Sequence, residues 1–356
     1  MPVSAQVRFD ADGSDRLETV HALIGQARHT LEVCTFVWGR DPVADGIAQA
    51  LLSAAGRGVQ VRILVDGIGT PGSRPDLQAA NLHWRRSRPL FGNHEHAPLN
   101  LRNHRKLIVA DNASLWSGGR NLASTYFLPD SHDDGWCDLS FRIDGILAAQ
   151  ARALFDCDWA RADGQAVQPW QPCSGELDGH GVQWLPSGPD MAEDTVAAWL
   201  LAACLHAEQR LWAVTPYFIP DPALVSALKV AARQGVDVRI LVPMRSNHRM
   251  ADFVRPRAIR ELQQAGVQFL LHPRMVHAKA VIVDQGPAWC GSVNLDPRSL
   301  YLNREAVAVF HDPDHAQWLD GWFLRQFRTA SIYRPDAPGF WRDLGEGALQ
   351  VFGFQL

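Results

Sequence analysis

The chain has 356 residues, 47% of them hydrophobic, and a formal net charge of −4. That composition excludes a disordered low-complexity chain, and with a pI near 6.4 it argues against a general nucleic-acid binder, whose footprint is a basic excess. The longest apolar stretch, Val196 to Cys204, is too short to cross a bilayer. Six scattered cysteines (34, 137, 157, 173, 204 and 290) form no C-x-x-C and no Cys/His ladder, and read as reduced, mostly buried thiols of a cytoplasmic protein. Met1 to Arg16 lacks the basic-then-apolar order of a signal peptide.

In chain order, Asp15 to Arg28 carries Leu17, Val20, Leu23, Ile24 and Ala27 at helical spacing, with Ser14 or Asp15 as the cap. Thr30 to Trp38 is β-branched and aromatic and predicts a strand. Pro42 to Arg57 predicts a helix with proline in its first turn. Gly58 to Asp66 predicts the next strand. Gly69 to Pro98 is expected to be partly loop over a site. It holds Arg85, Arg86 and Arg88 beside Trp84 and Phe91, an arrangement equally suited to anionic groups or to a solvated loop. It also holds His94-Glu95-His96, which has no third ligand nearby and reads as solvated loop rather than a metal site. Leu107 to Ala110 and Leu139 to Ile143 predict strands, and Ile146 to Arg161 a helix. The polar, proline-containing stretch 162–180 predicts a linker, dividing the chain into 1–165, a linker at 166–180 and 181–356.

The second half repeats the plan. Asp194 to His206, Ala223 to Gln234 and Asp314 to Arg328 predict helices, the last with Trp318, Trp322, Phe323 and Phe327 on a core-facing stripe. Gln209 to Phe218, Gly235 to Pro243 and Ala280 to Val283 predict strands. GVDVRILVP at 235–243 echoes GVQVRILVD at 58–66, a sign of internal duplication. The tail from Phe340 to Leu356 has no counterpart in the first half.

The duplication is clearest in one motif. His104-x-Lys106, then Asp111, then Gly118-x-x-Asn121 returns as His277-x-Lys279, Asp284 and Gly291-x-x-Asn294, every position shifted by 173 residues. The chain has only three lysines, and two stand in these motifs. A compact three-donor ammonium is wanted there, rather than the planar fork of arginine. Each His/Lys pair leads into a buried strand, so the two side chains share a face. Alternating strands and helices in both halves predict an α/β protein: two duplicated halves, each a mixed β-sheet flanked by helices, related by a pseudo-two-fold with one shared site.

Two imidazoles facing each other divide labour at a phosphorus centre. One attacks to form a phosphohistidine, while the other protonates the leaving oxygen and then activates the incoming hydroxyl. Lys106, Lys279, Asn121 and Asn294 would hold the non-bridging oxygens, so that neither metal nor cofactor is required. Asp138 and Glu305 are the candidates to orient the histidines. Asp111 and Asp284 stand with the catalytic motif, although a role in fixing a turn by salt bridge suits them better than contact with substrate.

His-x-Lys-x4-Asp followed by Gly-x-x-Asn, present twice, resembles the phospholipase D superfamily, over nearly the whole chain. The flanks are most similar to bacterial cardiolipin synthases: Asn103 to Lys106, Thr215 to Asp221, Gly291 to Asp296 and Arg298 to Glu305. The resemblance implies phosphatidyl transfer through phosphohistidine, with phosphatidylglycerol as donor and a second phospholipid as acceptor. His104 would be the nucleophile and His277 the acid/base, or the reverse. It also implies a peripheral protein on the cytoplasmic side of the cell membrane, with phospholipids rather than nucleic acid as partners and an oligomeric state left open. Many cardiolipin synthases begin with two transmembrane helices, which this chain lacks. Glycerol, phosphatidylethanolamine or water therefore stays open as the acceptor, and a phospholipase D-type hydrolase or a phosphodiesterase of the same superfamily is the alternative. A non-catalytic lipid-binding module would need a broken motif, and both are intact.

Overall fold

The computed structural model describes residues 7–11, 13–71, 77–88, 100–129, 132–170, 181–334 and 336–350. The first half runs β1 (Val7–Asp10), α1 (Gly13–Gln26), β2 (Thr30–Thr35), α2 (Pro42–Gly56), β3 (Gln60–Asp66), β4 (Leu82–Ser87), β5 (Leu107–Ala110), β6 (Ser114–Gly118), β7 (Ser140–Asp144) and α3 (Ile146–Ala162). The second runs β8 (Val182–Ser187), α4 (Thr195–His206), β9 (Arg210–Val214), α5 (Pro222–Arg233), β10 (Asp237–Pro243), α6 (Arg249–Gln263), β11 (Gln268–His272), β12 (Ala280–Val283), β13 (Ala288–Gly291), β14 (Glu305–Phe310) and α7 (Pro313–Thr329). It closes with β15 (Ser331–Ile332) and α8 (Phe340–Gln350).

The two sheets have one topology. The first is ordered β1-β7-β6-β5-β2-β3-β4 and the second β8-β14-β13-β12-β9-β10-β11, with β15 added at its edge. In both, the last three strands are parallel and the others antiparallel. Local chemistry repeats as well. Asp41 caps α2 by accepting from Val43 and Ala44 N–H, and Asp221 caps α5 through Leu224 N–H, each with proline at the first helical position.

Each sheet covers its outer face with its own helices. Val20, Ile24, Ile47 and Leu51 of α1 and α2 bury against Val33, Ile63 and Ile108. Val196, Leu200, Leu224 and Ile259 do the same over Ile240 and Val281. The inner faces share a third core in which α3 and α7 bring Leu154, Phe155, Trp322 and Phe323 together with Leu107, Phe141, Val214 and Ile282. Phe9 stacks on Trp318 at 4.5 Å and meets Phe310 at 4.9 Å, joining the first strand of one half to the other. A continuous buried core between the halves holds their relative position to side-chain precision, which a site divided between them needs.

The expected elements are found; β1, β6, β8, α6, β11 and β13 come in addition to them, and three further differences follow. Strands predicted to reach Trp38 and Phe218 stop at Thr35 and Val214. There Thr35 and Thr215 each turn their hydroxyl back to the carbonyl two residues on, peeling the chain over the site. Part of the expected loop is β4, whose sequence LHWRRS hides it. β4 is the edge strand, where charge is tolerated, and Arg85 stacks over Trp159 at 4.3 Å. The tail forms α8, packed on α6 through Glu346, which pairs with Arg260 of α6 and with Arg342 one turn earlier in its own helix. His94-Glu95-His96, Phe91, Cys173 and most of the expected linker lie outside the described residues.

Candidate active site

The two histidines stand just before β5 and β12, and each is gripped by the opposite half. His104 N–H donates to Arg304 C=O at 2.9 Å, and His277 N–H to Cys137 C=O at 2.7 Å. The rings are held the same way. His104 Nδ1 lies 2.8 Å from Glu305 Oε1, and His277 Nδ1 lies 2.8 Å from Asp138 Oδ2. A carboxylate that accepts from Nδ1–H fixes the tautomer and leaves Nε2 with its lone pair for chemistry. The two carboxylates stand at equivalent strand starts, Asp138 two residues before β7 and Glu305 as the first residue of β14. The exchange of partners is thus the pseudo-two-fold expressed in side chains.

Lys106 and Lys279 are almost fully buried. Lys106 Nζ donates to His104 C=O at 2.7 Å, and Lys279 Nζ lies 2.9 and 3.1 Å from the two ring nitrogens of His277. Burial, partly offset by Glu305, lowers the Lys106 ammonium to about 8. Burial with Lys106 nearby lowers Lys279 to about 7, despite Asp138. Burial likewise brings His104 to about 4, against Glu305. Burial and the Lys279 charge bring His277 to about 3. Burial raises the Asp138 carboxyl, but His277, Arg120 and Lys279 outweigh it and hold the group well below the ordinary range. Burial thus disfavours the charged form of both imidazoles and both ammoniums, and a buried anion would offset that cost.

Other expected residues fall differently. Asp111 and Asp284 lie at the far ends of β5 and β12, away from the histidines. Asp111 accepts from the backbone N–H groups of Arg28, His29 and Thr30, and Asp284 from those of Glu208, Gln209 and Arg210, all within 3.1 Å. Their place in the catalytic set is corrected accordingly: both sit at positive φ in a turn and tie it to the start of the neighbouring strand, by backbone bonds rather than a salt bridge. Asn121 spends its carbonyl on Val37 N–H and its amide on the Tyr126 hydroxyl, steadying that ring 5.0 Å from His277. One of its two amide N–H groups is thus committed to the aromatic wall beside His277. Asn294 bonds Ser299 Oγ through its amide, while its buried Oδ1 has no hydrogen-bond partner among the described residues.

Sequence reasoning missed several participants. Trp136 and Tyr126 flank His277, and Phe36 meets the His104 ring edge-on at 4.9 Å. The signal for Tyr126 was its spacing, since it stands five residues past Asn121 as Ser299 stands five past Asn294. Phe36 carried none. Arg105, inside the first motif, is fully buried and bridges Asp158 and Asp190 while donating to Glu305 C=O at 3.1 Å. The second motif has Ala278 at that position. Gly119, where the second copy has Ser292, is also explained, because a Cβ there would overlap the Asp138 carboxylate.

Comparison with known proteins places this geometry. The family described as cardiolipin synthase, PLD-like domain, matches residues 20–159 and 200–327. Cardiolipin synthase A of Pseudomonas putida (strain W619) is 33% identical over 336 residues, 93% of this chain and 70% of the relative. Cardiolipin synthase A of Klebsiella pneumoniae subsp. pneumoniae is 32% identical over 320 residues, 86% of this chain and 66% of the relative. The chain therefore spans about two thirds of the length of these relatives. Phosphatidylserine synthase of Haemophilus influenzae superposes with a TM-score of 0.73 at 15% identity, over 99% of this chain and 95% of that one. Polyphosphate kinase of Porphyromonas gingivalis gives 0.61 at 11% identity, over 99% of this chain and 54% of that one. At those identities the structural likeness speaks to the fold. No helix among the described residues is long and apolar enough to cross a membrane.

Proposed function

Because the chain belongs to the cardiolipin synthase, phospholipase D-like family, we propose that it transfers a phosphatidyl group from phosphatidylglycerol to the hydroxyl of a second phospholipid, releasing glycerol. The observation that carries this reading is the crossed pair of histidines, each held through Nδ1 by the other half's carboxylate, between two buried lysines.

The phosphodiester anion enters between Lys106 and Lys279 and relieves the crowding of their charges. The same anion raises the affinity of His277 for a proton, which it takes up from solvent as the substrate binds, while His104 stays neutral to attack. His104 Nε2 attacks phosphorus as the bond to the glycerol oxygen breaks, and that oxygen takes the proton of His277. Glycerol leaves, and phosphatidyl remains on His104. The incoming hydroxyl then gives its proton to His277 and attacks phosphorus, the P–N bond breaks, and cardiolipin forms. Glu305 stabilises the charge that builds on the His104 ring, and the lysines stabilise the charge on the non-bridging oxygens. We assign the attack to His104, whose carbonyl rather than ring takes the Lys106 ammonium, while Lys279 Nζ lies 2.9 and 3.1 Å from the ring nitrogens of His277.

The substrate places the protein at a membrane surface, on the cytoplasmic side by the reading of its thiols. The described surface offers a contact for it. Phe340 and Trp341 at the start of α8 are 74% and 79% exposed, and Leu344 follows them one turn on. The deciding experiment is product analysis by mass spectrometry from phosphatidylglycerol, with and without phosphatidylethanolamine, for the native chain, His104→Ala and His277→Ala. Cardiolipin and glycerol from the native chain alone support the reading. Phosphatidic acid as the sole product makes water the acceptor, and near-native activity in either folded variant removes the two-histidine mechanism.

A further inference from the structure

Two guanidiniums end on the residues that steer the histidines. Arg105 donates from Nε to the backbone carbonyl of Glu305 at 3.1 Å, and Glu305 holds Nδ1 of His104. Arg120 donates from a terminal nitrogen to the backbone carbonyl of Asp138, and Asp138 holds Nδ1 of His277. Both arginines are fully buried, and the rest of each side chain is fixed as well. Arg105 reaches Asp158 at 2.7 Å and Asp190 at 3.1 Å. Arg120 reaches Ser140 Oγ and, from Nε at 3.3 Å, the carbonyl of Tyr126, whose ring stands beside His277. Both arginines belong to the first half, and 173 residues on their places are taken by Ala278 and Val293. Those two are equally buried and pack in apolar cores. The fold therefore accepts an apolar side chain at either position. Burying a charge carries a desolvation cost that an apolar residue avoids, so stability does not account for two guanidiniums here. Their routes differ, since Arg105 crosses to the other half and Arg120 stays in its own. Their destination is the same atom type, the carbonyl oxygen of a supporting carboxylate residue.

We propose that Arg105 and Arg120 are positioning residues, Arg105 for the Glu305–His104 pair and Arg120 for the Asp138–His277 pair. The proposal rests on the two-histidine transfer reading and extends it outward from the carboxylates. A held carbonyl fixes the peptide plane and with it the direction in which the residue sends its side chain. Glu305 has one more side-chain torsion to freeze than Asp138, and its arginine is the one anchored by two carboxylates. When charge builds on a ring during transfer, a carboxylate already in place meets it without reorganising. Each arginine thus acts on the rate through one carboxylate and one histidine.

The test uses that pairing. Arg105→Met and Arg120→Met are made singly and in the Glu305→Gln and Asp138→Asn backgrounds, and transfer from phosphatidylglycerol is measured. Each single variant lowers kcat about 10- to 100-fold, the usual loss when an outer partner of a functional histidine is removed, with KM within about threefold. Losses of residues that act through one another do not add. Arg105→Met therefore costs less than about threefold more once Glu305→Gln is present, but its full factor beside Asp138→Asn, and Arg120→Met shows the reverse. Losses that multiply equally in both backgrounds make the arginines structural and overturn the proposal. Folded single variants with kcat within twofold of native overturn it too. In Arg105→Met, Asp158 and Asp190 keep Arg161 as a partner; should that chain still not fold, Arg105→Met with Asp158→Asn takes its place. A second arm needs no turnover. The imidazole Nδ1–H resonances, assigned with His104→Ala and His277→Ala, are followed by proton NMR. Arg105→Met loses the His104 signal to solvent exchange and keeps that of His277, and Arg120→Met does the opposite. Both signals intact in both variants overturn the positioning role. If the native chain makes no transfer product while this NMR pattern holds, the transfer reading has failed and the positioning stands.

Discussion

Asp138, in the first half, lies 2.8 Å from Nδ1 of His277 in the second, and the bond is made where both groups are buried. An amide in its place keeps the shape but loses the charge that balances an imidazolium, and it can turn an N–H toward Nδ1 and force the wrong tautomer. Asp138→Asn is expected to lower kcat by about 10²- to 10⁴-fold, by analogy with removal of the orienting carboxylate in hydrolase triads. Glu305→Gln should act similarly through His104. Steady-state kinetics with circular dichroism as the folding control reads the effect. A folded Asp138→Asn chain with kcat within threefold of native means that the carboxylate does not support catalysis.

Asp111 and Asp284 should behave in the opposite way. Each neutralises three backbone N–H groups at the start of a strand, and loss of such bonds costs roughly 1–3 kcal/mol of stability. Asp111→Ala is expected to lower Tm while leaving kcat per folded molecule within about twofold, on the reading that a capping residue acts on stability alone. Burial pushes its carboxyl up, but the bonds to Thr30, Arg28 and His29 win and hold it below its ordinary 3.8. A depressed carboxylate contributes stability above the unfolded value and loses it as pH falls through the folded one. The gap between native and variant should therefore close below about pH 4, and a large loss of kcat would return the aspartates to the catalytic set.

How much of this was legible in the chain depends on what repeats. Doubling of the His/Lys motif exposed the two duplicated halves and pointed to both histidines, because offsets shared by several residues constrain how the halves repeat. Asp138 and Glu305 were reachable as polar residues opening apolar strands. The partners of Asn121, Val37 N–H and the Tyr126 hydroxyl, were not legible, because they are set by a turn that no spacing rule describes. Arg105 and Ala278 occupy one motif position with different chemistry. Only packing against Asp158 on α3 shows why.

The charge state of the site predicts a pH dependence. Lys279 and Lys106, lowered by burial to about 7 and about 8, carry charge below those values and lose it above them. Binding of a phosphate anion should be strongest below pH 7 and weaken as pH rises through 7 to 8. Inhibition by inorganic phosphate, followed from pH 6 to 9, measures this, and a flat profile would remove the lysines as the anion's partners. Stability of the unliganded chain runs the other way. The unfolded state binds more protons than the folded one between these values and 10.5, so stability rises with pH across that window. The histidines, lowered by burial to about 4 and about 3 from 6.5, extend the trend into acid: stability falls as pH drops below about 6.5.

Membrane contact can be separated from chemistry. Phe340 and Trp341 are 74% and 79% exposed, an unusual position for an aromatic pair with no role in the core. Met244, Met250 and Phe253, also exposed, lie at the end of β10 and the start of α6, and Gly345 of α8 faces the Phe253 ring. Met244 and Met250 bracket Asn247 and His248, which contact Tyr217 at the end of the chain that peels away from β9. Arg245, Arg249 and Arg342 add exposed positive charge to the same region. Aromatic rings suit the headgroup level and arginines suit anionic lipids. Phe340→Ser with Trp341→Ser is expected to lower activity on phosphatidylglycerol vesicles at least tenfold and abolish co-sedimentation with them. Activity on the same lipid in detergent micelles should stay within twofold, since α8 lies outside the site. Equal activity on both forms of the lipid would mean that this surface does not meet the bilayer, and equal loss on both would mean that α8 supports the fold instead.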